Sequence, residues 1–300
     1  MSNNKAEGVA AIVLNYNKKD DLLLALKSIH ASDYPNLSLV VVDNDSTDGS
    51  ADAVAETYPD TPLIRNPVNS GVSKGRNTGW QYAKEHFDFE YVIFLDDDTE
   101  IEPDYFSKMV KAYQDHPEVG VVAGKSYTNL QIKNFCSVGI SVNLYTGIIY
   151  DIGAGDIDTG QYDTARYLDA CGGFAFSSRK ALFDQLGAFD ERYSPYGWED
   201  VDYCLKTKKA GFKIWYEPKA VVVHKGTKAG RAPIAHYEQN KIKNYLFLLK
   251  QHTNPIQKVT CAGGIAIKSL YIIFQMIKNG HSKVIYSQFV GFFQGISKSK

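Results

Sequence analysis

Hydrophobic positions along the 300-residue chain fall into short unbroken apolar runs separated by stretches of helical period. Val9 to Leu14 is apolar throughout and rich in β-branched residues, the pattern of a strand buried on both faces, and it ends at Asn15-Tyr16-Asn17. Leu22, Ala25, Leu26 and Ile29 then form a helical stripe behind Asp20 and Asp21, whose carboxylates suit a helix amino terminus. Leu39 to Val42 predicts a second buried strand, closed by Asp43-Asn44-Asp45-Ser46-Thr47-Asp48-Gly49-Ser50 and a short helix to about Tyr58. Leu63 and Ile64 predict a brief third strand, Ser70 to Glu85 a glycine-containing loop and helix, and Tyr91 to Leu95 a fourth strand ending in Asp96-Asp97-Asp98. This alternation implies an α/β fold with a mostly parallel sheet flanked by helices. Ligands of such sheets bind beyond the carboxyl ends of the strands, where Asn15, Asp43 and Asp96 stand in turn.

Another helix is predicted from Pro103 to about His116, after which Val119 to Tyr167 breaks into short strands and Gly/Asp/Tyr-rich loops, read as a substrate-shaping insertion. Leu182 to Phe189, Val201 to Lys209 and Val221 to His224 restore helix and strand signals. A shift to Lys, Gly, Gln and Asn after Gly226 places a boundary near residues 226 to 240, dividing a body of residues 1–230 from a basic, amphipathic helical tail of residues 231–300.

With 44% hydrophobic, 13% aromatic and 22% charged residues, the chain is far from a disordered composition. A formal charge of −1 excludes a global pull toward nucleic acid, but the charges are unevenly placed. No Asp or Glu follows Glu238, whereas nine lysines fall between Lys241 and Lys300. In the tail, Lys268, Gln275 and Asn279 share a narrow polar stripe while Ile267, Leu270, Tyr271, Phe274 and Ile277 widen the apolar side, so the expectation is a helix lying on an anionic membrane surface through residues 241–300. Packing on the body or on a second subunit, in a homo-oligomer, is the alternative. The 17-residue apolar stretch from Cys261 to Ile277, interrupted by Lys268, is too short and too charged to predict a membrane span. The four cysteines, Cys136, Cys171, Cys204 and Cys261, lack CxxC spacing and read as isolated thiols of a reducing compartment. Met1 to Gly8 lacks the apolar segment of a signal peptide, so the expected location is cytoplasmic, peripheral on the inner face of the cell membrane.

Three carboxylates crowding one strand end at Asp96, Asp97 and Asp98 repel one another unless a cation is present, which suggests Mn²⁺ or Mg²⁺ with open positions for phosphate oxygens. A solvated acidic turn capping the next helix is the competing reading. The run from Asp43 to Gly49 fails as a calcium loop, because Thr47, Asp48 and Val54 stand at positions that require other residues. From Asn69 to Trp80, small residues and the cations Lys74 and Arg76 suit a phosphate-bearing ligand, yet neither a P-loop nor G-x-G-x-x-G is present. Trp198 offers a platform for a sugar face beside the carboxylates of Glu199, Asp200 and Asp202, one of which can serve as a general base or merely cap a helix. His224 closes the apolar run Val221 to Val223 and is either structural or a metal ligand.

Taken in order, Val13 to Asn17, Val41 to Ser50, Asn69 to Gly79, Leu95 to Asp98 and Gly197 to Asp202 resemble the nucleotide-sugar-dependent glycosyltransferases of family 2, over about residues 8 to 226. The resemblance implies the GT-A fold, with a donor half at about 8–100 and an acceptor half at about 101–230. It implies a donor-nucleotide site of Asn15, Asp43, Arg76, Asp96 and Asp97, a metal held by Asp98, Asp96 and His224, acceptor or sugar contacts at Trp198 and Glu199, and Asp200 as the catalytic base. One departure is Asp45, where many members carry glycine. The implied reaction is a single inverting displacement from a nucleoside-diphosphate sugar, UDP or dTDP preferred, to a hydroxyl of a glycan or lipid-linked saccharide in cell-surface polysaccharide synthesis. A sugar nucleotidyltransferase would share the sheet and the metal, but no glycine- and arginine-rich loop follows the first strand. A non-catalytic carbohydrate-binding protein would keep the aromatic residues without needing Asp98 or Asp200.

Overall fold

The computed structural model describes residues 6–226 and 235–278, together with residues 290, 291 and 294. The first apolar run forms β1 (Val9–Asn15), every residue of which is buried. Ala10, Ile12 and Leu14 pack toward Trp80 and Ala83, while Val9, Ala11 and Val13 pack toward Leu22, Leu26 and Ile29. Side chains alternate between two covered faces, so no polar residue is tolerated until the strand ends. The chain continues through α1 (Lys19–His30), β2 (Leu37–Asp43), α2 (Ser50–Thr57), β3 (Leu63–Arg65), α3 (Val72–His86), β4 (Tyr91–Asp96), β5 (Thr99–Ile101) and α4 (Tyr105–Asp115). It then passes through β6 (Val119–Asn129), β7 (Asn134–Ser137), β8 (Ile140–Asn143), β9 (Ile148–Asp151), β10 (Arg166–Leu168) and β11 (Ala175–Arg179). The last elements are α5 (Lys180–Leu186), α6 (Glu199–Lys209), β12 (Lys213–His224), α7 (Ala235–His252) and α8 (Pro255–Lys278).

One sheet has the order β11-β4-β1-β2-β3 and is parallel except for β11 at its edge. Its register sets Asn15 opposite Asp43 and Leu14 opposite Asp96, so the three predicted strand-end residues emerge along one edge. The glycines of α3 face this sheet and not a ligand, which corrects the reading of that segment. A Cβ on Gly79 would stand 2.3 Å from Ile12 Cγ2, and one on Gly75 would stand 2.5 Å from Leu14 Cδ1. Helix and strands therefore approach more closely than any side chain there would allow.

The second sheet is centred on β12, which runs parallel to β6 and antiparallel to β10 and β5. The first nine residues of β6 are buried, so the expected insertion does not start at Val119; that segment is core, and its apolar run packs on α4 and β12. Short β5 carries the decisive register, pairing Thr99 with His224 and Glu100 with Val223. A histidine far along the chain is thereby set beside the acidic strand end.

The composition shift near residues 226–240 does not end the packing. Leu248, Phe247 and Leu249 of α7 are buried, and the fully buried Asn244 donates from Nδ2 to the carbonyls of Tyr193 and Tyr196. His252 Nε2 lies 2.7 Å from Asp202 Oδ1 on α6, and Tyr193 Oη donates to the same oxygen. In α8, Gly264 lies against the Thr146 carbonyl of the β8–β9 turn, while Ile256, Val259, Leu270 and Phe274 are exposed. At about 100° per residue these four fall within an arc of about 60° on one side of the helix. The side chains of Lys268 and Gln275, and Asn279 as a whole, lie outside the described residues. No helix among the described residues is long and apolar enough to cross a membrane.

Candidate active site

Asp96, Asp98 and His224 each offer one ligand atom, and these atoms lie within 4.8 Å of one another. Three features of the fold bring them together: the end of β4, the turn into β5, and the β5–β12 pairing, reinforced by the Lys225 amide donating to the Asp98 carbonyl. His224 is held on three sides. Its ring stacks on Phe174 with centroids 4.5 Å apart, Nδ1 lies 3.4 Å from Cys136 Sγ, and Nε2 lies 3.2 Å from Asp98 Oδ1. Asp98 Oδ1 is buried and makes no hydrogen bond among the described residues despite that proximity. Two carboxylates and an imidazole suit a divalent cation such as Mn²⁺ or Mg²⁺.

The same groups also hold one another's charge. Burial pushes the Asp98 carboxyl up, but neighbouring His224 and Lys18 outweigh it and hold the group well below the usual carboxylate range. His224 is pushed up to about 10, because Asp98 and Cys136 more than offset its burial. Asp97 does not share the cluster. It turns back toward the β1–α1 loop, accepting from the Tyr16 amide at 2.9 Å and pairing with Lys18 at 3.1 Å. Burial, opposed by Lys18 and the Tyr16 amide, with Asp96 and Asp98 pushing the same way as burial, carries its carboxyl up to about 7. Asp97, expected on the donor nucleotide, braces the loop that carries Lys18.

At the neighbouring strand ends, Asn15 is fully buried and donates from Nδ2 to Asp43 Oδ2 at 2.7 Å and to Ser46 Oγ at 3.0 Å. It orients Asp43 and presents no free surface to a nucleotide. Asp43 Oδ1 also accepts from the Ser46 amide, so each carboxylate oxygen has one protein donor and keeps a second lone pair. Asp45 has φ +70°, a left-handed conformation that explains why glycine suits this position in the resembling family.

Arg76 departs furthest from expectation. Its buried guanidinium donates to Asp96 Oδ1 at 2.7 Å, Glu199 Oε1 at 3.0 Å and the Gly173 carbonyl at 2.9 Å. Three of its five N–H donors are used inside the protein and the buried Nε has no partner among the described residues, so Arg76 is a strut that ties the β4 end to the α6 start. Glu199, expected beside the acceptor sugar, has a buried carboxylate that pairs with Arg76. Trp198, at φ +78° before α6, donates from Nε1 to the Lys241 carbonyl at 2.8 Å and lies 5.4 Å from the Tyr245 ring. Its edge is thus fixed by α7.

Asp200 is half-buried in the first turn of α6, one residue beyond the strut. Burial, together with the Glu199 charge, carries its carboxyl up to about 7, against the opposing pull of the Val201 and Gly173 amides and Arg76. A carboxylate that titrates near neutrality is matched to taking a proton from a hydroxyl. Sequence reasoning missed Lys18 and Cys136. The first stands three residues beyond the end of β1, on the edge that carries the acids, which is a readable signal; the Cys136 contact with His224 depends on non-local pairing and leaves none.

Residues 10–182 match the model of glycosyl transferase family 2. A curated relative, the N-acetylglucosaminyl-diphospho-decaprenol L-rhamnosyltransferase of Mycobacterium tuberculosis, is 24% identical over 294 residues, covering 91% of this chain and 95% of its own. The poly-beta-1,6-N-acetyl-D-glucosamine synthase of Staphylococcus epidermidis is 27% identical over 72% of this chain, which spans 50% of that enzyme. Among solved structures, the mannosyltransferase PcManGT from Pyrobaculum calidifontis in complex with GDP-Man and Mn²⁺ superposes with a TM-score of 0.62 at 19% identity, over 99% of this chain and 89% of its own. S. aureus TarS 1-349 in complex with UDP gives a TM-score of 0.58 at 19% identity, over 86% and 70%.

Proposed function

This chain belongs to glycosyl transferase family 2, and we propose that it is a metal-dependent, inverting enzyme that moves a hexosyl or rhamnosyl unit from UDP- or dTDP-sugar to a hydroxyl of a glycan or lipid-linked saccharide. One observation carries this reading. The chain Asp96–Arg76–Glu199 ties Asp200, poised near neutrality, to the edge where Asp96, Asp98 and His224 converge. Asp98, Asp96 and His224 would hold Mn²⁺ or Mg²⁺, which when bound offsets the charge of the departing nucleoside diphosphate. Asp43 has lone pairs to spare at the nucleotide end, and the Asn15 bond aims it. Asp200 takes the proton of the acceptor hydroxyl as its oxygen attacks the anomeric carbon and the sugar–phosphate bond breaks. The relatives' names support a lipid-linked or polymeric acceptor: one is a rhamnosyltransferase acting on a decaprenol-linked saccharide and the other makes a polysaccharide.

The test is a hydrolysis and transfer screen across UDP- and dTDP-sugars with Mn²⁺ or Mg²⁺. Asp98→Asn should abolish metal-enhanced binding of UDP or dTDP in calorimetry; equal affinity with and without metal would remove the metal from the reading. Release of pyrophosphate from nucleoside triphosphate and sugar phosphate would instead indicate a nucleotidyltransferase.

The exposed apolar arc of α8 and the acid-free, lysine-rich sequence after Glu238 support peripheral attachment to the anionic inner face of the cell membrane. That surface adjoins the acceptor side, because α8 packs on the β8–β9 turn, whose Gly147 carbonyl accepts from Tyr245 beside Trp198. Ile256→Glu with Phe274→Glu should abolish co-sedimentation with phosphatidylglycerol vesicles while leaving the fold intact. Loss of self-association instead, with no vesicle binding by the unaltered protein, would assign the face to a second copy.

A further inference from the structure

Asp98 is approached from both of its oxygens. Oδ1 faces His224, while Oδ2 accepts a hydrogen bond from Lys18 Nζ at 2.7 Å. The same ammonium lies 3.1 Å from Asp97 Oδ1, so one lysine serves two of the three adjacent carboxylates. Lys18 is not carried there by a loose loop. It precedes the first turn of α1, its carbonyl accepts from the Leu22 amide at 2.8 Å, and the preceding Tyr16 amide is bonded to Asp97. The side chain itself is 41% exposed, so the ammonium can leave along its flexible stem without opening the core.

We infer that Lys18 is a tethered counter-cation that opposes a free divalent ion at Asp96, Asp98 and His224, and that it yields when a nucleoside diphosphate brings further negative charge. The inference rests on the reading of that cluster as a metal site. A single positive charge on the same carboxylate repels an incoming divalent ion and occupies one of its ligand oxygens, and the repulsion is strong at a few ångströms in a partly buried site. A diphosphate in the adjoining space gives the ammonium a new anionic partner and frees the oxygen. Metal and nucleotide then bind with positive coupling, and the coupling is reciprocal by linkage. Lys18 acts here as a positioning residue, through Asp98.

Mn²⁺ binding to the donor-free protein, followed by loss of the free-ion electron paramagnetic resonance signal, reads this directly. Lys18→Met should bind Mn²⁺ alone at least about fivefold more tightly, the scale of one good partly exposed ion pair. The factor by which UDP tightens Mn²⁺ should shrink in the same variant, whereas Lys18→Arg, which keeps the charge, should resemble the unaltered protein. Thermal melting of Lys18→Met should fall without metal, because Asp97 and Asp98 lose their cation, and recover on addition of Mn²⁺. Equal or weaker Mn²⁺ binding by Lys18→Met overturns the inference, and if Asp98→Asn still abolishes that binding, the metal-site reading survives it. Mn²⁺ binding that is indifferent to Asp98→Asn overturns both.

Discussion

Arg76→Met separates a structural strut from a substrate ligand. The Arg76 side chain is 3% exposed and that of Glu199 6%, whereas Asp96 is 31% exposed. Removing the guanidinium therefore strands the Glu199 carboxylate, whose second oxygen already lacks a partner, inside the protein. Breaking a buried pair by deleting one member costs about 3–5 kcal/mol, and the better-solvated Asp96 adds little. With a urea slope of about 3 kcal/mol per molar, the upper end of the usual range, the unfolding midpoint should fall by about 1 M or more. Replacing both charges, in Arg76→Met with Glu199→Met, leaves no stranded ion and should recover most of the loss, since apolar replacements of buried pairs are often neutral. Urea unfolding followed by fluorescence and circular dichroism measures all three proteins. An Arg76→Met midpoint within about 0.3 M of the unaltered protein, together with collapsed UDP affinity, would refute the strut and restore the diphosphate role. A double variant no better than the single one would refute the electrostatic argument.

Three further outcomes follow from the same geometry. Asp200→Asn should lower transfer by at least about 10²-fold with donor affinity retained, and retained transfer would move the base to another group. Because Asp200 must be deprotonated to act and its carboxyl is carried up to about 7, kcat/KM should be level above that pH and fall roughly tenfold per unit below it; a profile flat down to pH 5 would sink the assignment. Asn244→Ala should cost about 1–3 kcal/mol, read as a lowered melting temperature, because the Tyr193 and Tyr196 carbonyls lose their donor.

The donor edge was legible in the sequence because it is built locally. A parallel strand buried on both faces has no place for a polar residue, so the first polar side chain after each run marks the end of the strand, and Asn15, Asp43 and Asp96 were found in that way. Asp98 and His224 were also named, but their meeting depends on β5, a three-residue strand with no hydrophobic signature of its own. The pairing of Arg76 with Glu199 was not legible, for a physical reason. Charged residues near a ligand edge look alike whether they face solvent or each other, and only the approach of α6 to α3 decides that they pair. The glycines of α3 were misread similarly, since a small residue permits close approach by a ligand or by a strand.

The acceptor side shows why composition was a poor guide to where the body ends. Polar residues of α7 are used inward: Asn244 caps carbonyls around Tyr193 and Tyr196, His252 pairs with Asp202, and the Lys241 carbonyl holds the Trp198 indole. A polar, lysine-rich stretch with these functions reads in sequence as a solvated tail. It follows that α7 and α8 differ in kind although each carries three lysines. Substitutions in the buried face of α7 must alter stability and the wall beside Trp198 together, whereas substitutions on the exposed arc of α8, which touches neither, are free to alter attachment alone.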